Sequence, residues 1–268
     1  MAEQTITAIV TGGGSGIGEA TAKRLAARGY SVAIFDVDGK RARDVAGAIT
    51  SSGGVAATFE VDVSNESSVE SALAATLAEV GLPTILINCA GILHVAPALE
   101  TTVVAFDRVV AVNLRSVFLV CVAVARKLVE AGLPGSMVNV SSIHAVLSEP
   151  NASAYTAAKG GVEAMSRTFA SEWAPYGIRV NCVRPGATRT ALTDSLYTPD
   201  ILDALAQRIP MTRPAMATEI AACIDFLASP DASYITGTAL DVDGGYIMDG
   251  SLPRTSYAAL TLETGVRS

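Results

Sequence analysis

Charge is scarce in this chain. Of its 268 residues only 17% are charged, and acids outnumber bases 26 to 19, for a net charge of −7. Nucleic acid asks for a basic footprint and an anionic membrane surface for clustered lysine or arginine, so the balance argues against both partners. Histidine is scarcer still. The two, His94 and His144, stand far apart, which leaves no cluster for a metal. The four cysteines, Cys89, Cys121, Cys182 and Cys223, are widely spaced with no CxxC pair. They fall in apolar stretches and read as buried free thiols of a reduced, cytoplasmic protein. The longest apolar run, residues 117–125, is far too short to span a bilayer. The N-terminus carries Glu3 and moves straight into a strand, so no signal peptide is visible. Internal repeats, low-complexity segments and a second-domain linker are also missing.

Apolar residues fill the space that charge leaves. Half the chain is hydrophobic, enough for a large core with some left for subunit contacts. The length suits one α/β domain. TITAIV (residues 5–10) is β-rich, TGGGSGIG (11–18) follows, and EATAKRLAARG reads as a helix. In that order the glycines let the backbone turn tightly and approach a pyrophosphate, while the helix start offers free N–H groups. An ordinary glycine-rich turn is the plainer alternative, and the strand and helix on either side argue against it. The second strand, SVAIFDVD, ends in Asp36, about 20 positions past the glycines, where an acid binds ribose hydroxyls and repels a 2′-phosphate. NAD is thus favoured over NADP, with Lys40 and Arg41 keeping NADP open. Asp36 as a helix cap is the plain reading, and Asp38 fits that task better.

Strands and helices go on alternating. Residues 39–52 read as a helix and 55–63 as a strand, with Ser64 or Asn65 capping the next helix. A strand at 84–87 runs into NCAG (88–91). Such alternation implies a doubly wound parallel sheet, with ligands beyond the carboxyl ends of the strands. The glycine loop, Asp36, Asp62, Asn88 and Ser142 all lie at such ends. Residues 102–132 form a strongly apolar helical stretch that holds Asn113. A helix apolar on most faces is buried on all sides, partly at a subunit interface. A strand at 178–183 and a turn at Pro185 and Gly186 lead into a polar, proline-bearing segment, a mobile lid over about 190–215. A helix over 217–229, a last strand over 238–242 and a tail (249–268) complete the chain.

The chemistry centres on SIHAVLSEPNASAYTAAK, residues 142–159. Tyr155 and Lys159 are four apart in helical text, so they share a face. A phenol and an amine each titrate near ~10, too high for neutral acid–base work. A lysine cation beside the phenol favours phenolate, and a tyrosine so tuned exchanges a proton with an alcohol or carbonyl. Ser142 can hold the same oxygen. Alone, Tyr-x-x-x-Lys describes two residues on a helix surface and nothing more.

Taken together, TGGGSGIG, the acidic end of the second strand, DV at 62–63, NCAG, Asn113, the strand serine, YTAAK and PGATRT resemble the short-chain dehydrogenases/reductases, over roughly residues 5–245. The resemblance implies a Rossmann-like sheet of order 3-2-1-4-5-6-7 with helices on both faces, in one catalytic domain over 1–248. It implies an NAD-dependent oxidoreductase of secondary alcohols and their ketones or lactones, assembled as a homotetramer. It makes Tyr155 the acid–base, Lys159 the residue that holds the ribose and lowers the tyrosine pKa, Ser142 the oxygen holder, and Asn113 the support of a water relay to the lysine. Gly12, Ser15, Gly16, Ile17 and Gly18 would wrap the pyrophosphate. Asp62 and Val63 would hold adenine, while Asn88, Ala90 and Gly91 would flank the ribose. Pro185, Gly186, Thr188 and Thr190 would border the nicotinamide end. Cys89 replaces the family's usual second asparagine of NNAG. SSIHAVLSEP resembles the matching stretch of bacterial glucose dehydrogenases of this family, which makes His144 and Glu149 candidates for a polyhydroxylated substrate, with His94 beside them. The lid's Leu192, Leu196, Tyr197, Ile201 and Met211 suit an apolar ketone or steroid instead. A basic group of Arg184, Arg189, Arg208 and Arg213 would suit a 3-oxoacyl substrate. A dehydratase or epimerase with bound NAD and a non-catalytic NAD-binding regulator are the remaining alternatives, and the intact Ser-Tyr-Lys set argues against both.

Overall fold

The computed structural model describes residues 6–249. β1 (Thr7–Thr11), α1 (Gly16–Ala27), β2 (Ser31–Asp36), α2 (Gly39–Ser51), β3 (Val55–Glu60), α3 (Glu66–Glu79) and β4 (Pro83–Asn88) alternate without exception. α4 (Val103–Val110) passes through a π-helical turn (Ala111–Arg115) into α5 (Ser116–Ala131). β5 (Gly135–Val140), α6 (Ser153–Trp173) and β6 (Ile178–Pro185) follow. Then come β7 (Thr188–Arg189), α7 (Pro199–Arg208), β8 (Ala215–Met216), α8 (Ala217–Ala228) and β9 (Ala239–Val242). The expected tail lies outside the described residues from position 250 onward, as does Thr5 at the head of the first strand.

Seven strands pair in the order β3-β2-β1-β4-β5-β6-β9, all parallel, as expected. β7 and β8 pair separately as a two-residue ladder at the base of the lid. Inner strands read as unbroken apolar runs because both faces are covered. Alternate residues divide between the two layers. Ile9, Phe35, Leu86 and Met137 pack under α3, α5 and α6, while Val10, Ile34, Ile87 and Val138 pack under α1, α2 and α8. Fully burying a side chain of this size contributes roughly 1.5–3 kcal/mol.

The helix starts follow from local chemistry. The Asp38 carboxylate accepts from the N–H groups of Lys40 and Arg41, which makes it the cap of α2 and leaves Asp36 free of that task. Asn65 caps α3 by accepting from Ser68 N, and Thr102 caps α4 by accepting from Ala105 N. Gly132 ends α5 at φ 64°, a left-handed conformation that glycine adopts without a side-chain penalty.

Two expectations need correction. β3 ends at Glu60 rather than near Asp62, because Asp62 folds back to accept from the Ser64 N–H and hydroxyl, at 2.9 and 2.6 Å. The apolar stretch at 102–132 is two α-helices joined by a π turn rather than one regular helix. Phe118 and Val129, 46% and 41% exposed, leave open the part of its surface expected at a subunit interface. At 29 residues, Val103–Ala131 is long and apolar enough to cross a membrane by length and composition. Its inner side (Val117, Val120, Cys121, Val124 and Leu128) packs into the sheet, the position of a core helix.

Candidate active site

β1 lies between β2 and β4, so chain connections leave it in opposite directions and a crevice opens at its carboxyl end. The glycine loop lines that crevice. At Gly12, φ +62°, a Cβ would stand 2.8 Å from Ala90 Cα, and at Gly18 it would stand 2.1 Å from the Gly12 carbonyl oxygen. Both positions demand glycine, one for its backbone angle and both for space. Thr11 holds the opposite wall, its hydroxyl oxygen accepting from Cys89 N and Ala90 N at 3.2 Å each. The resulting cavity is about 420 Å³. Gly12, Ser15, Gly16, Ile17 and Gly18 line its middle, Asp36, Asp62 and Val63 one end, and Ala90 and Gly91 the wall. Thr190 covers it from the lid and would touch a side chain at Gly16. A glycine cradle at a helix start, with a carboxylate at one end, fits the pyrophosphate and adenosine ribose of a dinucleotide.

The Asp36 end of the cavity, where the adenosine is expected, is sharply defined. The two Asp36 oxygens accept from Gly14 N at 2.8 Å and Asp38 N at 2.9 Å, which fixes the carboxylate while leaving lone pairs for ribose hydroxyls. Hydrogen bonding to Ser64, opposed by some burial, holds the Asp62 carboxyl below its ordinary range. Arg41 and Arg108 also line this end, and the sequence had not singled out Arg108. Arg41 pairs with Asp38 at 3.2 Å, and Arg108 approaches Asp62 at 4.0 Å. Val112 and Leu192 complete the lining.

The residues expected to do the acid–base work gather beyond Gly91. Lys159 is buried on α6, and its ammonium donates to the Val140 carbonyl at 2.8 Å. The same nitrogen lies 5.6 Å from the centre of the Tyr155 ring. A Cβ on Gly91 would touch both Lys159 Nζ and Asn113 Oδ1, at 3.8 and 3.4 Å, so these three residues meet. Asn113 is aimed by two 2.8 Å bonds, accepting from Ile92 N and donating to the Ile92 carbonyl. Of the two adjacent serines, Ser141 is taken up by Glu163, to which its hydroxyl donates at 2.7 Å. Ser142 accepts from His144 N at 3.2 Å, and its hydroxyl lies within hydrogen-bonding reach of Tyr155.

Burial pushes Lys159 down to about 8. It also pushes Tyr155 up, with the Glu149 charge adding to the rise and hydrogen bonding to Ser142 opposing it. A lysine-lowered phenol is the expectation. Lys159 stands over the Tyr155 ring and gives its hydrogen bond to a backbone carbonyl, so burial is the first influence on the phenol here.

Asn88 is the clearest departure among the dinucleotide residues. Its side chain points into the core, where Nδ2 donates to Asn139 Oδ1 at 2.8 Å, so it does not flank the ribose with its amide. Pro185, Gly186 and Thr188 stand outside the cavity lining. Thr188 is buried, its hydroxyl donating to the Gly186 carbonyl at 2.9 Å. His144 and Glu149 pair through Nε2 at 2.8 Å. Burial pushes His144 down, against the pull of Glu149. His94 is half-buried after β4, and no hydrogen bond or ion pair joins it to that pair among the described residues. The same residues hold no cluster suited to a metal.

The family model described as enoyl-(acyl carrier protein) reductase matches residues 12–247. The D-threitol dehydrogenase of Mycolicibacterium smegmatis is 39% identical over 239 residues, 89% of this chain and 92% of that one. The cis-4-hydroxycyclohexanecarboxylate dehydrogenase of Sinomonas cyclohexanicum is 42% identical over 240 residues, 89% and 95% of the two chains. A crystal structure of a short-chain type dehydrogenase/reductase from Mycobacterium marinum superposes with a TM-score of 0.87 at 32% identity, covering 91% of this chain and 96% of that one. The chain belongs to the short-chain dehydrogenases/reductases. It is an oxidoreductase that acts on the CH–OH group of a secondary alcohol with a nicotinamide cofactor.

Proposed function

We propose that the enzyme uses NAD to oxidise a secondary alcohol carrying further hydroxyls, such as a sugar or polyol, to its ketone or lactone, with Tyr155 as the acid–base residue. The observation that carries this reading is the meeting of Ser142, Tyr155, Lys159 and Asn113 beside the glycine-lined crevice. The bound cofactor supplies the hydride acceptor. Tyr155 takes the hydroxyl proton in oxidation and returns it in reduction. Ser142 donates to the substrate oxygen and fixes its position, while Lys159 lines the ribose side and Asn113 orients water toward it. Orientation of the reacting carbon supplies much of the rate, and acid–base work adds typically ~10²–10⁴-fold.

NAD over NADP rests on Asp36, whose charge repels a 2′-phosphate. The two cations that kept NADP open are engaged, Arg41 by Asp38 and Lys40 by Asp44 at 2.8 Å. The polyol reading rests on the His144–Glu149 pair beside Ser142, and the likeness to a threitol dehydrogenase supports it. An apolar or steroid ketone is the second reading, favoured by the exposed lid side chains Leu192, Leu196, Ile201 and Met211. Assembly as a homotetramer is supported by the apolar surface of α5 and α6, where Phe118, Val129 and Tyr176 are exposed around the stacked Phe169 and Trp173. Size-exclusion chromatography with light scattering tests it, and a monomer would refute it. Four unpaired cysteines suit the reducing cytoplasm.

Nicotinamide absorbance tests the whole reading. NAD and NADP are each offered with sugars, polyols, cyclic alcohols, steroids and 3-hydroxyacyl esters, with Tyr155→Phe as control. Turnover of polyols with NAD, absent in the control, is the expected result. Full activity in the control would remove Tyr155 from its role.

A further inference from the structure

Besides Lys159, α6 buries a second ionised side chain, Glu163, which is 4% exposed. Tyr155, Lys159 and Glu163 stand at positions i, i+4 and i+8, so they form one stripe along the helix. All three face the last residue of β5 and the two serines that follow it. Tyr155 lies beside Ser142, Lys159 donates to the Val140 carbonyl at 2.8 Å, and Glu163 accepts from the Ser141 hydroxyl at 2.7 Å. Arg184 on β6 grips the same carboxylate with two parallel bonds, Nε to Oε1 and Nη2 to Oε2, both 2.7 Å. Its third nitrogen donates to Asp241 on β9 at 3.0 Å. One buried carboxylate therefore ties α6 to three neighbouring strands directly behind the acid–base pair.

We infer that Glu163 is a positioning residue: held by Arg184 and Ser141, it sets the register of α6 against β5 and so the placement of Tyr155 and Lys159 relative to Ser142. The inference rests on the proposed roles of those three residues. Stability alone does not call for such a pair, because apolar residues of similar volume in place of a buried ion pair are often neutral or stabilising. Direction is what apolar packing lacks. A planar guanidinium on a carboxylate fixes both distance and angle. Ser141 and Ser142 are adjacent, so a shift of α6 along β5 at Glu163 moves Tyr155 by the same amount relative to Ser142.

The test is the full-length double variant Glu163→Met/Arg184→Met, with Ser141→Ala as a milder variant that leaves the ion pair in place and Tyr155→Phe as control. Melting temperature, Kd for NAD by fluorescence titration, kcat and KM are measured on each. The double variant is expected to melt near the wild type and bind NAD as well, while kcat falls on the order of 10²-fold. Ser141→Ala is expected to lower kcat by about tenfold, so the inference is still decided if the double variant fails to fold. A double variant, or Ser141→Ala, with stability kept and kcat within about twofold of wild type would overturn it. An active Tyr155→Phe would instead overturn the acid–base reading itself, which separates the two failures.

Discussion

Lys159 stands over the Tyr155 ring: its ammonium lies 5.6 Å from the ring centre and bonds to the Val140 carbonyl. Both residues are shifted mainly by burial, Tyr155 upward and Lys159 down to about 8. Oxidation needs the phenolate, which forms only as pH rises, whereas reduction needs the phenol, which persists until then. Initial rates in both directions between about pH 6 and about pH 10 are therefore expected to diverge, oxidation climbing and reduction declining in the alkaline range. Parallel profiles would contradict this.

Gly18→Ala places a methyl group 2.1 Å from the Gly12 carbonyl oxygen unless the loop opens. The variant is expected to lose dinucleotide affinity by about 10²-fold or more and to melt at a lower temperature, since overpacking strains the backbone. Fluorescence titration and thermal unfolding check the two effects.

Arg108 lines the adenosine end beside Asp62. Removing it in Arg108→Ala is expected to weaken dinucleotide binding by about tenfold while leaving kcat at saturation unchanged, the pattern of lost uniform binding. Titration and steady-state kinetics read this directly.

His144 and Glu149 form a polar pair next to Ser142. Glu149→Gln is expected to lower kcat/KM for polyols by about tenfold or more and to spare simple cyclic alcohols, because a site built to bond a second hydroxyl discriminates through it. An equal loss on both classes would assign the pair a structural part only.

Local chemistry makes much of this legible in the sequence. Glycine spacing marks a tight loop, a four-residue interval puts Tyr155 and Lys159 on one face, and Asp38 caps α2 as its position suggests. What stayed hidden depends on partners distant in sequence. Asn88 turns inward because Asn139 awaits it 51 positions on, and Arg108 reaches the adenosine end through Ser64, 44 positions back. The early end of β3 comes from the turn at Asp62, whose acid reads equally well as the tip of a strand. Ser141 and Ser142 differ by one position; the family resemblance singles out Ser142, and the packing of α6 adds what occupies Ser141.

The π turn at Ala111–Arg115 has a consequence for how this protein tolerates change. Wider turns of this kind hold one more residue than an α turn. The turn takes up that residue while α4 and α5 keep the faces that one continuous α-helix would give them. A one-residue deletion here would close the turn to α geometry with both flanks still seated, whereas the same deletion inside α5 would rotate one side of the cut against the other by about 100°. The expense of closing the turn falls on Asn113 at its centre, whose two bonds to Ile92 are made from the wide turn.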